Sequence, residues 1–145
     1  GIPKTIDNDL VSTDHTPGYG SSVKYIVNTL SEIYLDTHAY KKGRVTVVEI
    51  MGRNAGWIAL EAGIAGSADV ILIPEIPYDF NSIINKIEQR RSKGKKHSII
   101  VVAEGAKPKD GEAVILKVRE DSPDPIRLGG IANVVADELE KLVGL

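Results

Sequence analysis

The chain has 145 residues, enough for one domain or a large piece of one, and 42% of them are hydrophobic, enough for a real core. Eighteen basic and 20 acidic residues leave a net charge of −2, which argues against a protein whose main task is to coat nucleic acid. There is no Cys, so disulfides and thiolate metal sites are excluded; no apolar run is long enough to span a membrane and no signal peptide is visible, so a cytoplasmic protein is the default.

The opening segment "GIPKTIDNDL" carries Lys4, Thr5, Asp7, Asn8 and Asp9. If it were extended, Asp7 and Asp9 would point to one side, with Thr5 on the same face. Two carboxylates on one side can bind a hard cation such as Mg²⁺, or divide into a metal ligand and a general base. Lys4 adds a point charge suited to a phosphate. The competing reading is a polar turn, because Asp and Asn favour turns. The glycines of "TPGYGSS" make a loop and a helix N-cap, and Val23, Ile26, Val27, Leu30 and Ile33 predict a helix from Ser21 to Leu35.

"RVTVVEI", Arg44 to Ile50, is β-branched and almost continuously apolar, as a parallel strand covered on both faces would be. "NAGWIALEAGIAG" predicts a helix from Asn54 that stops at Gly66, with Trp57 in the core. "EIMGRNAG" lies between them, at the carboxyl end of a strand, where ligands bind in such sheets. There Gly52 admits close backbone approach, Arg53 offers a fork of donors to phosphate, and the next helix presents free N–H groups. A glycine turn with a solvated Arg is the alternative.

"DVILIP", Asp69 to Pro74, and "HSIIVVAE", His97 to Glu104, predict two more buried strands. Between them, Phe80, Ile83, Ile84 and Ile87 form a helical stripe with Asp79 as N-cap. The run "RRSKGKKH" reads as the basic end of that helix or as an anion site. Glu104, at a strand end, is either exposed or a partner for sugar hydroxyls. "GAKPKDGEAVILKVREDSPDPIRLGG" predicts a loop or hairpin, with "EAVILKV" a short strand. Ile131, Val134, Val135, Leu139 and Leu142 share one side of a last helix, from about Gly130 to Leu142. His15, His38 and His97 are far apart and lack metal-ligand spacing. The alternation of helix and strand predicts an α/β fold, a three-layer parallel sheet with flanking helices. Both ends read as cuts through a larger fold.

"PKTIDND", "MGR" after a "VVE" strand, and "KGKKHSIIVVAEG" together resemble the phosphofructokinase family in order and spacing, over nearly the whole chain. The resemblance implies an internal fragment, with residues 1–15 a catalytic strip from the donor-binding domain and 16–145 most of the sugar-phosphate-binding domain. It implies Mg²⁺-dependent phosphoryl transfer to the 1-hydroxyl of fructose 6-phosphate. Asp7 would be the base, Thr5 would sit beside the transferring group, and Asp9 would help hold Mg²⁺. Arg53 would stabilise transition-state charge. Met51, Gly52 and Glu104 would contact the sugar phosphate, and Arg44 would reach a neighbouring subunit's site in a homo-oligomer. Lys4 leans the donor to pyrophosphate rather than ATP, although some ATP-dependent members share it. The family's donor-phosphate loop and the His and Arg that complete the sugar 6-phosphate site are not in this sequence. The isolated fragment is therefore expected to be inactive. Asp36 and "THAYKK" lack an arginine used for effector binding by allosteric bacterial members. The competing hypothesis is a non-catalytic, regulatory sugar-phosphate-binding α/β domain.

Overall fold

A computed structural model describes residues 1–118 and 125–143. Three strands form a parallel sheet: β1 (Arg44–Ile50), β2 (Val70–Leu72) and β3 (His97–Ala103), in the order β1-β3-β2. β3 is central because it is apolar on both faces. Its alternating side chains divide between two cores. Ile99, Val101 and Ala103 face helices α1 (Tyr19–Ala39) and α2 (Trp57–Ala65), meeting Leu30, Ile58 and Ala62. Ile100 and Val102 face α3 (Phe80–Ser92) and α4 (Ile131–Val143), meeting Ile83, Ile87, Ile131 and Val135. The expected three layers are therefore present. Arg44 pairs with His97 and Ile50 with Ala103, so β1 and β3 are flush and their carboxyl ends share one rim.

The element boundaries carry several corrections. α1 begins at Tyr19 rather than Ser21, with Gly18 at its N-cap at φ 98°, and it continues past Leu35 to Ala39. The extra turn is held by a Thr37–Thr46 hydroxyl contact of 2.8 Å and by His38 Nδ1 against the Tyr34 carbonyl. β2 is shorter than "DVILIP". Asp79 does cap α3, its carboxylate accepting from the Asn81 N–H at 3.0 Å. α2 starts at Trp57, not Asn54, because residues 52–55 close a turn instead. Trp57 is 51% exposed, not core: it sits at the helix start and faces away from Ile58 and Ala59.

Val134 and Leu142 are also exposed, so the apolar stripe of α4 is narrower than its sequence suggests. Within the Gly105–Gly130 segment, β4 (Ile115–Val118) pairs antiparallel with β5 (Ile126–Leu128); the residues between them lie outside the described ones. His38 and His97 are not far apart after folding: their rings lie 4.5 Å from each other. Among the described residues no group of three His, Cys, Asp or Glu side chains is placed to hold a metal, and no helix is long and apolar enough to cross a membrane.

Candidate active site

Three segments meet at the carboxyl rim of the sheet: the opening strip, the turn after β1 and the end of β3. The strip is bent rather than extended. Asn8 lies at φ 57°, in the left-handed region that Asn tolerates better than most residues. Its side chain is pinned to the start of α1: Oδ1 accepts from the Thr16 N–H at 2.9 Å, and Nδ2 donates to the Asp14 carbonyl at 3.2 Å. Ile6, just ahead, packs against the α1/α2 core. Thr5 Oγ1 accepts from the Asp7 N–H at 3.1 Å. The polar-turn reading is therefore the observed structure, with Asp7 and Asp9 flanking its Asn8. The turn itself presents Asp7 and Asp9.

Partial burial of Asp7, then the nearby charges of Asp9 and Glu104, raise its carboxyl above the ordinary carboxylate range, while Arg53 opposes them. Three sequence-distant motifs therefore act on one carboxyl, that of Asp7.

Arg53 sits on an uncommon backbone. Gly52 is at φ 145° and Arg53 at φ 53°, and the Ala55 N–H closes the turn on the Gly52 carbonyl at 2.9 Å. A left-handed residue with a long side chain costs about 1–2 kcal/mol. It persists only where the surroundings over-determine it. Here Glu104 Oε1 accepts both the Arg53 N–H (2.8 Å) and the Gly52 N–H (3.2 Å). Glu75, beyond β2, accepts the Gly56 N–H at 2.8 Å. Gly105 is required because a Cβ there would lie 1.9 Å from the Arg53 carbonyl oxygen. One of the N–H groups expected to be free at the head of α2, that of the N-cap Gly56, is thus already engaged.

Met51 is exposed and borders an apolar groove of about 540 Å³ with Ile6, Tyr25 and Ile26. Glu49 fixes the last turn of β1 by accepting from the Gly130 and Ala132 N–H groups, both at 3.0 Å, at the head of α4. Lys4 is exposed. Arg44 is not at this rim. It starts β1, six strand steps or about 20 Å from Ile50, where it pairs with Asp36 at 3.1 Å and lies 4.3 Å over the Tyr40 ring. The basic run that begins in the last turn of α3 is in part a structural anchor: Arg90 pairs with Asp69 at 2.7 Å and donates to the His97 carbonyl and Ser98 Oγ. Sequence reading missed Asn8, Glu75 and Gly105. Only Asn8 carried a signal, as the residue type suited to a left-handed bend between two acids.

A rim where carboxylates and an arginine from distant parts of the sequence converge suits the phosphoryl-transfer class of proteins, in which catalysis is mostly the placement of charge. The chain belongs to the phosphofructokinase family, whose family model, described as "Phosphofructokinase", matches residues 1–145. It is 59% identical over 143 residues to an ATP-dependent 6-phosphofructokinase 2 of Clostridium perfringens, covering 99% of this chain and 38% of that protein. It is 44% identical to a pyrophosphate–fructose 6-phosphate 1-phosphotransferase of Amycolatopsis mediterranei, covering 99% of this chain and 41% of the relative. Among solved structures, the pyrophosphate-dependent phosphofructokinase of Marinobacter aquaeolei matches with a TM-score of 0.77 at 34% identity, over 99% of this chain and 34% of that one. The chain thus spans well under half the length of the relatives it matches.

Proposed function

We propose that the full-length protein is a 6-phosphofructokinase that moves a phosphoryl group onto the 1-hydroxyl of fructose 6-phosphate, in the cytoplasm. The observation that carries this is the meeting of Asp7, Asp9, Arg53 and Glu104 at one rim. Asp7 takes the proton of the sugar 1-hydroxyl as that oxygen attacks phosphorus and the bond to the donor oxygen breaks. Its raised proton affinity makes it a stronger acceptor than an ordinary carboxylate. Thr5 sits beside the transferring group, and Lys4 meets the donor phosphates. Arg53 offsets the charge that builds on the equatorial oxygens. Met51, Gly52 and Glu104 hold the sugar phosphate; with Glu104 Oε1 committed to the turn, Oε2 is the atom offered to sugar hydroxyls.

The residues fit Mg²⁺. Two neighbouring carboxylates, with no third ligand placed beside them among the described residues, suit an ion that is normally held by one or two carboxylates together with substrate phosphates and water. Asp9 would hold it, directly or through water, and the ion would supply charge neutralisation between the phosphates. Arg44 serves a neighbouring subunit's site in a homo-oligomer. Its place at the opposite rim from Arg53 supports that role.

Two observations pull apart on the donor. Lys4 leans to pyrophosphate, while the relative at 59% identity is named ATP-dependent. We take ATP, because resemblance along the whole chain outweighs one exposed side chain that occurs with both donors.

The test is phosphoryl transfer to fructose 6-phosphate by the full-length protein, with ATP and pyrophosphate compared as donors and Mg²⁺ present or chelated. Saturable, Mg²⁺-dependent turnover with ATP is expected. Turnover on pyrophosphate alone would reverse the donor assignment, and no transfer from either donor would leave a regulatory sugar-phosphate-binding domain as the reading. The 145-residue chain alone is expected to be inactive.

A further inference from the structure

The turn that carries Arg53 is held from two sides, and only one of the holders lies in a motif that resembles the family. Glu104, at the end of β3, grips the Gly52 and Arg53 N–H groups. Glu75 sits beyond the end of β2, and its Oε1 accepts the Gly56 N–H at 2.8 Å across 19 residues of sequence. Gly56 is also the N-cap of α2, so this bond fixes the joint at which the strained turn becomes helix. The packing there is close: a Cβ at Gly56 would meet Ile73 at 2.5 Å and Glu75 Oε2 at 2.6 Å. The two ends of the turn are therefore clamped to the segments that follow two different strands of the sheet, leaving the backbone under Arg53 little freedom to relax.

We infer that Glu75 is a positioning residue for Arg53, acting through the Gly56 N–H and without touching substrate. The inference rests on the role of Arg53 proposed above. A fork of donors stabilises developing charge only if it is aimed before the reaction, and a misplacement near 1 Å can cost about 100-fold in rate. Loosening one of the two clamps releases part of that aim.

The experiment is a double-mutant cycle in the full-length enzyme, together with backbone hydrogen exchange. Glu75→Ala should lower kcat about tenfold, or about 1.4 kcal/mol of transition-state stabilisation, with a smaller change in KM for fructose 6-phosphate. Glu75→Gln keeps an acceptor for the Gly56 N–H and should recover most of the loss. In an Arg53→Ala background, Glu75→Ala should cost nothing further in kcat, because its effect passes through Arg53. Amide exchange across residues 52–57 should quicken in Glu75→Ala and not in Glu75→Gln. Unchanged kcat in Glu75→Ala, losses that add in the double variant, or unchanged exchange would each overturn the inference. Full activity of Arg53→Ala would instead refute the assigned role of Arg53, and the exchange measurement alone would then decide whether Glu75 holds the turn.

Discussion

The two rims of the sheet are both rich in charge, and they use it differently. At the amino rim, charges are matched. Asp69 takes Arg90 at 2.7 Å through one oxygen and the Ile99 N–H at 2.9 Å through the other, and Arg90 closes on His97 and Ser98. At the carboxyl rim, partial burial and then the charges of Asp9 and Glu104 push the pKa of Asp7 up while Arg53 opposes them, and Asn8, Gly52 and Arg53 all take positive φ. Charge matched in a half-buried pair holds a fold together, and a positive φ at Ser67 beside it shows that unusual backbone is not confined to the other rim. Like charges gathered on Asp7, beside a turn clamped by two carboxylates, suit the proposed site, where a ligand would complete the electrostatics.

This contrast can be broken from either side. The largest effect should come from Gly105→Ala, whose new Cβ would have to displace the Arg53 carbonyl. We expect kcat of the full-length enzyme to fall about 100-fold or more, through a misplaced Arg53; a fall under threefold would show that the turn is not under tension from β3. At the other rim, Arg90→Ala leaves the half-buried Asp69 without its partner. It should cost about 1.5–3 kcal/mol of stability, read by urea unfolding, with kcat and KM for fructose 6-phosphate nearly unchanged. A matching loss of kcat would erase the division of labour between the rims.

Arg44→Ala should cost less than about 1 kcal/mol of stability, since the pair with Asp36 is exposed. Its effect should instead show in mixing. Inactive Arg44→Ala and Asp7→Asn enzymes should regain some activity in hybrids, and hybrids that form without activity would count against a shared site.

Most of the fold could be read from the sequence because it rests on local pattern. The unbroken apolar runs of β1 and β3 announced strands covered on both faces, and Asp79 announced the head of α3. Trp57 was misread because a large apolar residue at a helix start gives no sign of which way it faces. In the site, Asp7, Asp9, Arg53 and Glu104 stood out as acids and a base at loop or strand ends. The clamps did not. Gly56 and Glu75 meet only after β1 and β2 have been laid on either side of β3, and no periodicity encodes that contact. The steric need at Gly105 likewise depends on a carbonyl more than 50 positions earlier in the chain. The crowding that tunes Asp7 belongs to three segments at once, so no single one of them reveals it.

The central claim is that Asp7 is a base held in an unfavourable setting for the sake of the reaction. The most direct measurement is Asp7→Asn in the full-length enzyme, assayed for both turnover and thermal unfolding. A carboxyl whose folded pKa is raised costs stability as pH climbs from its ordinary value near 3.8 through the folded value, and the full penalty is present above the folded value. The neutral amide removes it. The account predicts a kcat lower by about 10²–10⁴-fold, a modest change in KM for fructose 6-phosphate, and a melting temperature at pH 7 equal to or above that of the unaltered protein. Near-normal kcat, or a clear loss of stability at pH 7, would contradict it.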